Sequence, residues 1–378
     1  LINHNDEIYS TKLFFNQPLS INEYQDVLDT IRIRYNIKTR ECYRTKSYTE
    51  STASNYFYVK LRDSSDANLL QSYAGYYSCN IVDNDPFMSL WYTLENNNDT
   101  LNSIELANIF FESNFFDKSE PDLLSANYLS SYNHLLDSCN SDQWGLFGAN
   151  NINVKNAWDL TTGNGIIVSV IDNGIELTHP DLYHNILTLS YDAKQRTNQT
   201  SIYGNTASHT YSHGTNCAGI ISAENNGYGV IGIAYDSKLL SVCSPSDFVS
   251  LQIRALADGI CWSYLNGADV INCSWYSNKS DYIRDAINSA TTLGRDGLGS
   301  IVVVAAGNQE GKIHFPAICE NTIAVGAIDE RATRVSVSWQ SCYGEELDIV
   351  APGINIPTTD ITGTLGLNNG IFTSEYSD

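Results

Sequence analysis

The chain predicts an α/β fold: a parallel sheet with helices on both faces, preceded by a small α+β domain. From about residue 144 onward, short apolar runs alternate with segments of helical periodicity, as repeated β-α units do. The runs are rich in β-branched residues and apolar at every position, as strands buried on both faces require. Residues 1–138 have a different texture, and 378 residues are too many for one core of ordinary size. Two domains follow: 1–138, an α+β module with its linker, and 139–378.

In the first domain, NYFYVKLRD (55–63) alternates and predicts a half-exposed strand. FMSLWYTL (87–94) predicts another, before the polar NNNDT loop. NSIELANIFFESNFF (102–116) predicts a helix capped by Ser103, with Ile104, Ala107, Phe111 and Phe115 on its apolar face. Ser125 to Ser141 lacks periodicity and reads as the linker. In the second domain, GIIVSVID (165–172) and KLLSVC (238–243) predict strands. The segment 247–270 predicts a helix with Phe248, Leu251, Ala255, Leu256 and Ile260 at helical spacing and Gly267 at its C-terminal cap. VINCSW (270–275) is a strand. SDYIRDAINSATTLGRDG (280–297) is a helix with Ser280 as N-cap and Ile283, Ile287 and Ala290 on its apolar side. SIVVVAAGN (300–308) and NTIAVGAI (321–328) complete the strands. Function in such sheets collects at the carboxyl ends of the strands, where Asp172 and Asn308 stand.

The net charge of −22, from 43 acidic and 21 basic residues, disfavours a nucleic-acid partner, whose phosphates demand a basic surface. No apolar run is long enough to span a bilayer. The chain begins at Leu1 and its only methionine is Met88, so a processed product or a fragment is expected, with any targeting segment outside it. Nine cysteines leave at least one unpaired within the chain, and no CxxC or zinc-finger spacing occurs. Cys217, Cys261 and Cys273 sit in apolar patterns and read as buried free thiols. Cys42, Cys79, Cys139, Cys319 and Cys342 lie in or near polar stretches and can pair in an oxidising compartment.

SHGTNCAG (212–219) raises the question of chemistry. His213 falls in the first turn of a helix, among free backbone N–H groups. Gly214 and Gly219 are poor helix formers, which implies that something packs very close to this helix. A metal site of His213 with Cys217 needs two further ligands that the neighbouring sequence does not supply. Asp172 ends a buried strand, where a carboxylate is costly without a partner. It can orient an imidazole and stabilise the imidazolium formed in catalysis. Asn308, ending VVAAGN, can donate to a developing oxyanion.

VIDNGIELTHPDL, SHGTNCAG, INCSW and VVVAAGN together resemble the subtilisin-like serine proteases, the subtilases, over roughly residues 142–360. The resemblance implies a subtilisin-like sheet and a family order of Asp, His, Ser. It makes Asp172 the orienting carboxylate, His213 the general base and acid, and Asn308 the oxyanion donor. Gly307 and the Ser274-Trp275-Tyr276 strand become substrate-binding, the strand pairing with the substrate backbone. Tyr276 stands where many relatives have glycine, which alters the main specificity pocket. Cys217 after the histidine and GRDGLGSIVVVAAGN (294–308) are proteinase K-like and kexin-like features. Kexins carry acidic residues after the Ser-Trp pair, whereas YSNKSD here carries Lys279, so strict cleavage after paired basic residues is not expected.

By the same resemblance a structural Ca²⁺ is expected on Asp181 and Asn226, carbonyls of Glu224, Tyr228 and Val230, and Gln143, an oxygen-only set that suits calcium. Residues 1–138 are similar to a subtilase propeptide, an intramolecular inhibitor, with KSEPDLL (118–124) near its end and self-cleavage expected between Ser125 and Ser141. Polypeptide substrates and export from the cell are the family's implications. The nucleophile's G-T-S-x-A-x-P context does not occur in the chain. LDIVAPGINIPTTD (347–360) matches the stretch that precedes it, and Ser374 and Ser377 lack the context. Two expectations follow: an endopeptidase whose serine lies beyond residue 378, the 378 residues being inactive alone, or a non-catalytic pseudoprotease that binds peptides or protein partners.

Overall fold

Side-chain alternation along one long strand organises the N-terminal domain. The computed structural model describes residues 42–44, 50–125, 143–198, 212–227, 229–244, 250–336, 339–362 and 376–377. Strands β1 (Cys42–Arg44), β2 (Glu50–Lys60), β3 (Cys79–Asn84), β4 (Trp91–Asn96) and β5 (Lys118–Ser125) form an antiparallel sheet in the order β1-β2-β4-β3, with β5 also on β2. Phe57 and Val59 of β2 point to helices α1 (Ala67–Tyr76) and α2 (Ser103–Glu112), packing with Leu70, Leu106 and Phe110. Tyr58 and Trp91 take the opposite face and enter the core of the second domain.

Three expectations in this domain are corrected. The cap of α2 is Asn102, whose side chain accepts from Ile104 N and Glu105 N; the Ser103 hydroxyl instead donates to Ser54 O. Its buried face is Ser103, Leu106, Ala107 and Phe110, while Phe111 and Phe115 are about half exposed. The second strand starts at Trp91 rather than residue 87, because the Asp85 carboxylate accepts from Phe87 N and Met88 N and closes a turn there. The expected linker lies outside the described residues after Ser125.

The second domain opens with short helices α3 (Trp144–Phe147) and α4 (Val154–Trp158). Its strands are β6 (Ile167–Asp172), β7 (Ile186–Asp192), β8 (Thr197–Asn198), β9 (Lys238–Cys243), β10 (Val270–Cys273), β11 (Ile301–Ala305), β12 (Thr322–Ile328) and β13 (Ile349–Pro352). They form one sheet in the order β13-β12-β11-β10-β6-β9-β7-β8, every pair parallel except β7 with β8. Helix α5 (His213–Ser222) packs on one face with Val168, Val170 and Leu239. Helices α6 (Gln252–Leu265) and α7 (Asp281–Gly297) pack on the other with Ile171, Leu240 and Val242. A small pair, β14 (Thr358–Thr359) with β15 (Tyr376–Ser377), lies against α5.

Ser280 caps α7 by accepting from Ile283 N, and Ile283, Ile287 and Ala290 are buried, as expected. The helix breaks at Gly294–Asp296. Helix α6 starts at Gln252, later than its periodicity predicts, because Leu251 takes a left-handed conformation (φ 69°). Phe248 lies outside the described residues. Gly267, with φ 86°, follows the end of α6 as a C-terminal cap requires.

The domains meet along a buried polar seam. Glu120 of β5 accepts from the Ser280 hydroxyl and from Asp281 N and Tyr282 N, at the free N-terminus of α7. Asp122, two residues on and so on the same face of β5, accepts from Leu251 N at the start of α6, and from Ser54 and Tyr58. Trp91 stacks on Tyr282 at 4.6 Å, and Lys60 Nζ is 2.7 Å from Asp285. Arg196 is held between Asp83 and Asp85 of the first domain and Asp258 of α6.

Candidate active site

Strand parity brings the central pair together. Val168 and Val170 point to the α5 face of the sheet, so Asp172, two residues further on, emerges on that face at the carboxyl end of β6. Its carboxylate lies 2.8 Å (Oδ2) and 3.0 Å (Oδ1) from His213 Nδ1. Asp172 is 6% exposed and also accepts from Asn173 N at 2.8 Å. Asn173 Oδ1 accepts from Gly214 N at 2.9 Å, pinning the first turn of α5 to the strand end. That bond, which the sequence reading missed, has the signal of an Asn beside the carboxylate.

Both glycines of α5 mark close approaches. A Cβ on Gly214 would lie 2.2 Å from the carbonyl oxygen of Gly174, and one on Gly219 2.3 Å from Thr359 Oγ1. The α5 turn therefore sits directly on residues 172–174 on one side and on β14 on the other. Thr358 and Thr359 hydroxyls donate to the carbonyls of Asn216 and Thr215, and Asn216 Nδ2 donates to Thr359 O. Glu176 accepts from Thr362 N at 2.7 Å. Residues 358–362 are thus fastened to the first turns of α5 and to Glu176.

Burial lowers the His213 pKa, but the Asp172 carboxylate, with Cys217, outweighs burial and holds it well above the ordinary histidine value. Asp172, His213 and Cys217 place one ligand atom each within 4.8 Å of one another. His213 Nδ1, however, already faces the carboxylate at 2.8 Å and the Cys217 sulfur lies 3.9 Å from the same nitrogen, so a metal would have to displace the ion pair. Cys217, Cys261 and Cys273 are free thiols as expected; Cys79, Cys319 and Cys342 are free too, while Cys139 lies outside the described residues.

Asn308 follows β11, two strands from β6 across β10, on the same carboxyl edge. At about 4.8 Å per strand, β11 itself runs about 10 Å from β6, and Asn308 lies three residues past the end of β11. Ser274, Trp275 and Tyr276 follow β10, between those two strands, and Trp275 and Tyr276 are each 7% exposed. Gly307 has φ 113° and its carbonyl accepts from Cys342 N.

The expected calcium ligands fall into two groups. Asp181 is fully buried, and its carboxylate accepts from Asn226 Nδ2 and Val230 N, both at 3.1 Å. Gln143 makes two bonds with Ile231, Nε2 to its carbonyl and Oε1 from its N–H. The Glu224 carboxylate pairs with His184, while its N–H donates to Asp181 O. Tyr228 lies outside the described residues. The Asp181 carboxylate thus faces two N–H donors and Gln143 Oε1 a third, so a calcium ion on this oxygen-bearing set would require the Asn226 amide to turn its oxygen inward and these bonds to open.

A mostly parallel sheet flanked by helices, with a carboxylate–imidazole pair at its carboxyl edge, makes this an α/β protein. The sequence profile of the subtilase family matches residues 163–376, and the chain belongs to that family. Over 212 residues it is 38% identical to subtilisin Savinase of Lederbergia lenta, covering 55% of this chain and 71% of that protein. It is equally similar to an alkaline protease of Alkalihalobacillus alcalophilus, over 55% of this chain and 50% of the relative. The chain therefore spans about half the length of the latter and of other curated relatives it matches. Among solved structures, fervidolysin of Fervidobacterium pennivorans, described as a keratinolytic enzyme related to subtilisin, superimposes with a TM-score of 0.64 at 20% identity, over 86% of this chain and 52% of that one. That coverage exceeds what residues 139–378 can supply, so the fold likeness extends into the N-terminal domain. Among the described residues, no helix is long and apolar enough to cross a membrane.

Proposed function

We propose that the protein carrying this chain is a subtilisin-type serine endopeptidase acting on polypeptides. The observation that supports it most is the contact of His213 Nδ1 with a buried Asp172 at the carboxyl edge of the sheet. Held so, the imidazole presents Nε2 to the substrate side. His213 takes the proton of the attacking serine hydroxyl, and Asp172 stabilises the imidazolium that forms. The Asn308 amide donates to the oxyanion of the tetrahedral intermediate, and His213 returns the proton to the leaving amine. Water then repeats the sequence on the acyl-enzyme. The substrate runs along Ser274–Tyr276 on one side and Gly307–Asn308 on the other.

No serine of the 378 residues has the family's nucleophile context, so this reading draws the nucleophile from outside them, and these residues alone are expected to be inactive. The full-length protein should be labelled covalently by a fluorophosphonate, and the label should be lost in a His213→Ala variant. A stable, unlabelled full-length product would favour the second reading, a pseudoprotease that binds peptides.

The N-terminal domain is read as the propeptide of a proenzyme, made for export. Its carboxylates at the starts of α6 and α7 support this, since they give it a dedicated seat on the second domain. Supplied in trans to a mature relative, it should inhibit hydrolysis; no inhibition would make it a separate binding module. Calcium on Asp181, Asn226, Gln143 and the carbonyls of Glu224, Tyr228 and Val230 would tie α5's exit loop to the segments at 143 and 181. Chelation should then lower the thermal midpoint, and an unchanged midpoint would remove the ion from this account.

A further inference from the structure

The space between the proposed substrate strand and the Gly307 segment is already filled by two side chains of this chain. The Tyr276 ring meets the His314 ring edge-on, with centroids 4.6 Å apart and planes at 72°. The His314 ring in turn lies on Gly307: a Cβ built there would sit 3.0 Å from His314 Cγ and Nδ1, and 2.9 Å from Cys342 Sγ. Gly307 is thus the one residue type that lets the imidazole approach the backbone so closely. Its φ of 113° independently favours glycine.

Backbone bonds hold this arrangement from both sides. Ser277 N donates to Phe315 O at 2.9 Å, and His314 N donates to Ala306 O at 3.0 Å. The backbone segments 276–277, 306–307 and 314–315 are therefore tied together, which sets the positions from which the two rings project. Burial lowers the His314 pKa, so the imidazole is neutral at neutral pH, and its buried Nδ1 has no hydrogen-bond partner.

We propose that Tyr276 and His314 determine specificity by closing the slot for the side chain of the residue whose carbonyl is attacked. The accepted class is small residues, glycine, alanine and serine. Aromatic, long aliphatic and basic side chains are excluded by the Tyr276–His314 pair. This deepens the protease reading and rests on it for the direction of the substrate.

The test uses the full-length protein and succinyl-Ala-Ala-Pro-X p-nitroanilides, with X as Ala, Ser, Phe, Leu or Arg. Ala and Ser should exceed Phe, Leu and Arg in kcat/KM by about 10-fold to 100-fold or more. His314→Gly should narrow or reverse that ratio, mainly through KM for Phe; Tyr276→Gly should act in the same direction. A wild-type preference for Phe or Leu, or a His314→Gly variant with an unchanged ratio, overturns the specificity proposal and leaves the protease reading standing. If no peptide is hydrolysed, the protease reading falls instead. Calorimetric binding of the corresponding peptides, Ala against Phe at X, then decides the slot: tighter binding of Phe overturns it.

Discussion

At Gly214 the fold admits no side chain, because an added Cβ would meet the Gly174 carbonyl oxygen at 2.2 Å. Relief requires moving the first turn of α5, and with it His213, off Asp172. Gly214→Ala should cost about 1–3 kcal/mol in chemical denaturation, and it should shift the His213 imidazole titration toward its ordinary value. An unchanged midpoint with an unchanged titration would contradict the close packing. The His213 pKa is pulled down by burial and pushed further up by Asp172 and Cys217. The stabilisation from this pair is therefore complete below the ordinary value of about 6.5 and lost as pH rises through the raised one. As a base the imidazole works deprotonated, so the rate of the full-length protein should climb with pH through a pKa above about 6.5. Asp172→Asn should move that limb down and lower kcat on the order of 10⁴-fold, read from pH–rate profiles. A limb that stays in place would show that Asp172 does not set the titration.

Helix starts carry the contact between domains. Glu120 and Asp122 are the second-domain helices' N-terminal acceptors, supplied from a strand of the first domain. Glu120→Ala strips the start of α7 of three accepted bonds and should destabilise the docked form by about 0.5–2 kcal/mol, measured as a lower thermal midpoint and faster proteolysis near residues 125–141. Identical proteolysis rates would mean that the cap contributes nothing to docking. At this scale the sequence was only partly legible. Helix α2 was recognisable, but apolar residues occupy positions 104, 106, 107, 109, 110 and 111, so its periodicity does not single out a face. The sheet in front of it does, selecting Leu106 and Phe110. Helix α7 has a cleaner stripe, and its cap and buried residues could be read directly.

Across the whole molecule, the seam between domains gathers carboxylates around few cations. Asp258 of α6 is buried and faces Arg196, Arg254, Tyr282 and the Asp85 carboxylate of the first domain, while Asp83 pairs with the same two arginines. Burial raises its pKa to about 7, with Asp85 adding to the rise and Arg196 opposing it; burial also raises Glu120 and Asp122. A carboxyl group raised in the folded state contributes stability that is complete below its ordinary pKa of 3.8 and lost as pH climbs through about 7. The docked form should therefore be tightest in mild acid and loosen toward alkaline pH. Thermal midpoints of the full chain from pH 5 to 8 should fall with rising pH, and Asp258→Asn should flatten the trend. A variant with the wild-type slope would place the linkage elsewhere.

From the residues alone came the parallel α/β sheet, the two-domain division as an expectation, and the family through four motifs around Asp172, His213, Ser274 and Asn308. These are local properties: strand and helix periods repeat within a few residues, and a catalytic motif is read where it lies. The Asp172–His213 contact was legible in part, since the parity of β6 predicts the face on which the carboxylate emerges. Only the tertiary structure decided what Gly214 and Gly219 pack against, that Asn173 anchors α5, that His314 lies on Gly307 beneath Tyr276, and that Glu120 and Asp122 seat the first domain. Apart from Gly307 and His314, which are seven residues apart, these contacts join groups tens to hundreds of residues apart along the chain, and all of them lie at distances set by packing, which no period or spacing along the sequence encodes.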